Sequence, residues 1–325
     1  MKKVLGMGNA IVDVLTLIEN DSILDRLGVP KGSMQLIDGE FIEKLQAELK
    51  EYDSYMATGG SAANTISGLA KLGVRTGFVG KIGDDEAGTF FKSDSDRSGV
   101  RTHLQYSDNL SGQCMVLVSA DGERTMCTFL GAACELTADD LSANMFYGYD
   151  YFHIEGYLVQ NHDLIRRAVF LAKETGLKVS IDLASYNVVE ANLDFLKEII
   201  HQYVDIVFAN EEEAHALTGL PADEAVHEIA KDCDIAVVKV GKDGSYIKAY
   251  GVDYRVDGIS AKCIDTTGAG DLYASGFLYG MTQQYGFDVC GKIGSIVAGN
   301  VVEVVGAKMD DERWDGMKTE IHKLL

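Results

Sequence analysis

Asp265-Thr266-Thr267-Gly268-Ala269-Gly270-Asp271-Leu272-Tyr273-Ala274-Ser275-Gly276 opens polar, turns through two glycines, places a carboxylate and then runs apolar. Leu272, Tyr273, Phe277, Leu278 and Met281 recur at helical spacing, which predicts a helix from about Gly270 to near Tyr285. The N–H groups of Gly268, Ala269 and Gly270 then lack partners inside the helix. With the positive end of the helix dipole they suit an anion. Asp271 is the odd member, because a carboxylate beside such a site repels phosphate. It makes sense as a base that takes a proton from an attacking hydroxyl. On local chemistry alone, a Gly-rich turn with an acidic cap explains the stretch equally well.

The chain has 325 residues, enough for one large α/β domain or a domain with a small appendage. Hydrophobic residues make up 46% and charged residues 24%, the balance of a soluble globule. Asp and Glu total 50 against 29 Lys and Arg, a net charge of −21, which argues against nucleic acid or an anionic membrane as partner. The six cysteines (Cys114, Cys127, Cys134, Cys233, Cys263 and Cys290) form no C-x-x-C pair and sit mostly in apolar runs. Buried free thiols in a reducing cytoplasm are expected. Met1 to Gly6 is too short for the apolar core of a signal peptide, and no run reaches the length of a membrane span.

Along the chain, Val4–Met7 reads as a buried strand. Gly6-Met7-Gly8-Asn9-Ala10-Ile11 lacks the third glycine of a dinucleotide fingerprint. Ile11–Ile18 is β-rich instead, and Asp13 lies within it, a capping carboxylate or a functional one. Ser22–Leu27 predicts a short helix, Ser33–Ile37 a strand and Glu40–Tyr52 an amphipathic helix. In Thr58-Gly59-Gly60-Ser61-Ala62-Ala63-Asn64-Thr65 the paired glycines allow close approach of a ligand, or tight packing of the helix that follows. Gln113–Ser119 and Arg124–Leu130 flank Asp121-Gly122, a hairpin signal. With Ile11–Ile18 and Ser33–Ile37 they supply four strands for a small separate sheet. From Tyr151 strand and helix alternate, which predicts a parallel sheet covered on both faces. Ser185 and Asn187 follow a strand end, where such sheets bind ligands. Glu211 to Glu213, after the strand ending at Ala209, suit a hydrated Mg²⁺ or simply an acidic first helical turn.

Asp265 to Phe277 closely resembles the second signature of the ribokinase family, the PfkB-type carbohydrate and nucleoside kinases, D-T-x-G-A-G-D followed by small residues and an aromatic. Gly80 to Gly88 matches the first signature, taken here as structural with Asp84 at most near the pocket. Further matches follow in the family's order over nearly the whole chain. The resemblance implies Asp271 as catalytic base, with the N–H groups of Gly268, Ala269, Gly270 and Asp271 as the hole for the transferred phosphoryl group. It implies Asn9, Asp13, Gly60, Ser61 and Asn64 on the acceptor's hydroxyls. For ATP it implies Asn210, Gly241, Gly244, Thr266, Gly268, Gly270 and Asn300. Asn210 and Glu213 would hold Mg²⁺ mainly through water, and Asp265 and Thr267 lie where several members place a monovalent cation such as K⁺.

The implied fold is ribokinase-like α/β: a mainly parallel sheet with helices on both faces, from residues 1–10, 39–110 and 131–325. A small β-sheet lid takes 11–38 and 111–130, and in the family it can also serve as a homodimer face. The implied reaction is ATP-dependent phosphorylation of a primary hydroxyl on a nucleoside or furanose sugar. Gly32–Ile37, Ile154–Leu158 and Tyr203–Glu211 look most like the adenosine-kinase branch, and Gln35, Leu36, Tyr157 and Leu158 then face a purine base or are plain lid and core residues. A ribokinase- or fructokinase-type sugar kinase is the alternative. A sugar-phosphate acceptor would want convergent cations such as Arg101 and Arg124. A non-catalytic nucleoside sensor on the same fold would be marked by loss of Asp271 or of the glycines, and both are present. There is no P-loop lysine, so phosphate handling falls to Asn210, Glu213 and the helix N-terminus.

Overall fold

Val4–Met7 is apolar and wholly buried, which is what a central parallel strand requires. The computed structural model describes residues 2–324. Its strands are β1 (Val4–Met7), β2 (Ile11–Leu17), β3 (Met34–Leu36), β4 (Ser54–Gly59), β5 (Thr76–Gly83), β6 (Val100–Ser107) and β7 (Gly112–Val118). They continue as β8 (Arg124–Phe129), β9 (Tyr151–Glu155), β10 (Lys178–Asp182), β11 (Ile206–Asn210), β12 (Ile235–Lys239), β13 (Ser245–Ala249) and β14 (Val252–Val256). Nine form one sheet in the order β14-β13-β12-β11-β10-β9-β1-β5-β6. Pairing is parallel from β12 to β6 and antiparallel only at β12-β13-β14.

Helices cover both faces. On one, His162–Glu174 and Leu193–Tyr203 bury Leu164, Val169, Leu196 and Ile199 against β9, β10 and β11. On the other, Ser61–Lys71, Ala269–Gln283 and Phe287–Val301 pack Ile66, Leu278 and Cys290 over β1, β11 and β12. The chain runs outward from β1 in both directions, through β5 and β6 and through β9 to β12. The carboxyl ends beside β1 and β9 are therefore the topological switch point, where ligands of such sheets bind.

The small sheet has five strands, β3-β8-β7-β2-β4, one more than the four expected. The fifth, β4, pairs antiparallel with β2 and is half exposed. The helix Gly39–Leu49, expected with the large body, packs Ile42, Leu45 and Leu49 on Met115, Leu117 and Phe129 of this sheet. The lid segment thus extends to Gly59. The first signature is structural as expected, with Asp85 and not Asp84 at work: its carboxylate accepts from the N–H of Gly88 at 2.7 Å and of Ser111 at 2.8 Å. Asp84 is exposed and outside the main cavity. No helix among the described residues is long and apolar enough to cross a membrane. All six cysteines are free; Cys134 and Cys263 are exposed, not buried as expected.

Candidate active site

Two helix N-termini meet at Asp271. The helix Ser61–Lys71 starts after Gly60, and the helix Ala269–Gln283 after Gly268. Both glycines have positive φ, 94° and 75°, which L side chains rarely adopt. A Cβ on Gly60 would also lie 2.2 Å from the carbonyl oxygen of Asn9. Asp271 Oδ1 accepts from Ser61 Oγ at 2.7 Å and Oδ2 from Asn64 Nδ2 at 3.1 Å. Thr65 Oγ1 donates to the Asp271 carbonyl at 3.1 Å and ties the helices together. Ser61 and Asn64, expected on the acceptor's hydroxyls, also orient the carboxylate. Asn64 keeps a buried Oδ1 with no partner among the described residues, free for an acceptor hydroxyl.

Burial pushes the Asp271 carboxyl up to about 6, against the hydrogen bonds from Ser61 and Asn64; Asp182 nearby adds to the rise and Lys239 opposes it. A base must be ionised to act, so raising its pKa moves its loss of activity toward neutrality. Turnover should therefore fall tenfold per pH unit below about 6 and be flat above it until other groups titrate. A pH–rate profile with no acid limb above about pH 5 would show that Asp271 does not act as the base.

Beside it, the N–H of Ala269 donates to the Thr266 carbonyl at 3.1 Å, so Ala269 is not one of the free donors expected. Those of Gly268, Gly270 and Asp271 have no partner among the described residues. They open on a cavity of about 1160 Å³. On its strand-end side, β10, β11 and β12 deliver Asp182, Asn210 and Lys239. Asn210 and Glu213 form a capping box: Asn210 Oδ1 accepts from the Glu213 N–H at 2.8 Å, and Glu213 accepts from Asn210 N at 2.8 Å and Nδ2 at 2.7 Å. Burial and the neighbouring Asp182 raise the Glu213 carboxyl to about 7. Gly241, Gly244, Ile259, Ala298, Gly299 and Val302 continue the wall as an apolar slot. Asn300 does not join them. Its Nδ2 donates to the Ile296 carbonyl at 2.9 Å and its Oδ1 faces Arg313 at 3.4 Å.

On the lid side Asp13 enters from β2 with Ile11, Cys114, Thr128 and Tyr157. Burial lifts its carboxyl to about 6, and Lys308 and Arg124 restrain it. Asn9 points elsewhere, donating to buried Glu155 at 2.5 Å. Gln35 sits on the lid's edge strand β3, outside the cavity lining. Arg124 and Arg101 do not converge. Arg124 crosses from the lid to bond Asp265 and, at 3.1 Å, Thr267 Oγ1, while Arg101 is exposed on β6. Asp265 also accepts from Thr267 at 2.9 and 2.7 Å and from the Gly306 N–H at 2.7 Å. Its oxygens are spoken for by protein donors and a guanidinium, which does not fit a bare monovalent cation there.

Asp182, Lys239 and Glu155 were missed in the sequence. Each is an ionisable residue closing an apolar strand, a signal akin to that of Asp13, a carboxylate inside one.

The pfkB family carbohydrate kinase model matches residues 42–313. An uncharacterized sugar kinase of Archaeoglobus fulgidus is 30% identical over 244 residues, 74% of this chain and 96% of its own. The 5-dehydro-2-deoxygluconokinase of Shouchella clausii is 30% identical over 300 residues, 86% of this chain and 89% of its own. The structure of an adenosine kinase from Sinorhizobium meliloti superposes with a TM-score of 0.85 at 34% identity, covering 100% of this chain and 99% of that one. The chain belongs to the pfkB family of carbohydrate kinases, and is a phosphotransferase acting on a hydroxyl group.

Proposed function

We propose that this chain transfers the γ-phosphoryl group of ATP to the primary hydroxyl of an adenosine-like nucleoside. The observation that carries the reaction is Asp271, half-buried, oriented by two donors and adjoining three free N–H groups at a helix N-terminus. The likeness to an adenosine kinase over the full chain supports the acceptor class. So does the acceptor side of the cavity, where Ile11, Cys114 and Tyr157 offer an apolar and aromatic wall beside Asp13. The second reading, a sugar kinase, is favoured by the relatives named for sugar substrates. A sugar acid such as 5-dehydro-2-deoxygluconate would want a cation by its carboxylate. The lining cations, Lys239 and Lys242, are both on the strand-end side; Lys308 and Arg124 act on Asp13 from outside the lining, and Arg124 is taken up by Asp265 and Thr267. Nucleosides and sugars assayed in parallel for ADP release with Mg·ATP test the reading. Turnover restricted to sugars would replace it with the second.

The donors around Glu213 fit a hydrated Mg²⁺. The carboxylate's oxygens already accept from Asn210, and Asp182 beside it leaves an excess of negative charge that a divalent cation would neutralise. Such an ion would offset charge on the ATP phosphates. Glu213→Gln sets an amide NH₂ against an Asn210 donor, so turnover should fall and need more Mg²⁺ to recover, with acceptor affinity unchanged. An unaltered Mg²⁺ requirement would remove Glu213 from that role.

A homodimer through the lid is the further part of this reading. Leu17, Met34, Leu36 and Tyr55 stand 73%, 58%, 67% and 57% exposed on the lid sheet, apolar side chains that a second lid could cover. Sedimentation of the wild type and of Leu17→Glu would separate dimer from monomer.

A further inference from the structure

The ammonium of Lys239 occupies the space that a side chain on Gly270 would fill: its Nζ lies 3.0 Å from the Cβ that an alanine there would carry. Gly270 has no positive φ, so its backbone does not call for glycine, and glycine in a helix costs about 1 kcal/mol relative to alanine. What favours glycine is the close approach of Nζ to the first helical turn, beside the unpartnered N–H groups of Gly270 and Asp271; a methyl group there would push the ammonium aside. Lys239 reaches this point because it closes the apolar strand β12, level with Asn210 on β11, while Asp182 closes β10 level with Phe208, two residues short of them. The only hydrogen bond of its side chain among the described residues is to Asp182 Oδ2, at 2.7 Å. Both side chains line the cavity, yet they are only 13% and 7% exposed. A lysine that merely neutralised Asp182 would have no need to lie over the helix N-terminus.

We propose that Lys239 is the phosphoryl-binding cation of this kinase, turning from Asp182 to the γ-phosphate when ATP enters. This rests on the kinase reading above, and names the lysine that the absence of a P-loop had left unassigned. The acceptor hydroxyl oxygen forms a bond to the γ-phosphorus. The bond from that phosphorus to the β–γ bridging oxygen breaks, its electron pair leaving with ADP. The hydroxyl proton passes to Asp271 and then to solvent. Lys239 keeps its proton throughout and, with the three N–H groups, stabilises the charge on the phosphoryl oxygens in flight. Burial disfavours the ammonium, but Asp182, Glu213 and Asp271 more than offset it, so it enters the reaction charged.

The test is Lys239→Gln, with Mg·β,γ-imido-ATP and ADP titrated separately by calorimetry. Affinity for the imido-ATP should fall about tenfold or more while that for ADP stays within about threefold, because only the former carries a γ-phosphate. Turnover should fall by about 10²–10³, with acceptor KM little changed. Should the single variant unfold because Asp182 is left unpaired, Asp182→Asn/Lys239→Gln is compared with Asp182→Asn, and the same selective loss is expected. Equal losses for both nucleotides, or none, would overturn the proposal and leave Lys239 a structural partner of Asp182. If the wild type phosphorylates no acceptor, the kinase reading fails, while the imido-ATP to ADP ratio still decides whether Lys239 grips a γ-phosphate.

Discussion

Asp271→Asn should lower turnover by about 10²–10⁴ while leaving ATP affinity within a few-fold. The asparagine is nearly the same size, so the helix N-terminus and its free N–H groups stay in place. Its side-chain oxygen can still accept from Ser61, which now donates at 2.7 Å. What is lost is a carboxylate that combines ionisation near neutral pH with direct contact to both Ser61 and Asn64. Removing a negative charge beside the phosphate site does not weaken ATP, and reduced repulsion should hold or improve its binding. Steady-state turnover paired with calorimetry on ATP gives both quantities. Turnover within a few-fold of wild type would mean that another group takes the proton.

Asp13→Ala should weaken acceptor binding by about 10–100-fold, since two hydroxyls lose a charged acceptor, with little effect on ATP. The structure adds a second expectation. Burial has raised this carboxyl to about 6, so at pH 8 it is ionised at a cost to the folded chain. A carboxyl whose folded pKa lies above its unfolded value takes stability away as pH rises from 3.8 to about 6, and the full cost is present above that. Asp13→Ala should therefore leave Tm at pH 8 unchanged or higher. A residue kept for the fold would show the opposite pattern, a lower Tm with equal losses for ATP and acceptor.

The alternating half of the chain was the more legible. β9 to β12 are apolar runs buried on both faces, and their helices carry a clear stripe, so their order follows from the residues. β6 was missed because an edge strand reading Val-Arg-Thr-His-Leu-Gln-Tyr-Ser has no apolar run to announce it. β4 was missed for a similar reason: Ser-Tyr-Met-Ala-Thr-Gly is half exposed, and its place is set by pairing with β2, a long-range contact that no local pattern carries. The helix Gly39–Leu49 was found, but its partner was not, because an apolar stripe does not say which sheet it will cover.

At the site, the glycines and Asp271 were readable as a motif, whereas the roles of their neighbours depended on side-chain direction. Asn9 turns to Glu155, Asn300 to Arg313 and Ala269 to Thr266, each for a hydrogen bond that only the folded chain reveals. Asp265 and Thr267 meet Arg124 from across the cleft, 141 residues from Asp265 in the chain. Asp182 and Lys239 were visible one at a time as charges closing apolar strands. Their pairing beside Gly270 needed the sheet order.

The most direct test of the account compares adenosine with 5′-deoxyadenosine as acceptor under saturating Mg·ATP, with products resolved by mass. Adenosine should give its 5′-monophosphate and one ADP per product, and the deoxy analogue should give neither above background. ADP release that is the same with either nucleoside, or with none, would contradict transfer to a primary hydroxyl and leave an ATP hydrolase in its place.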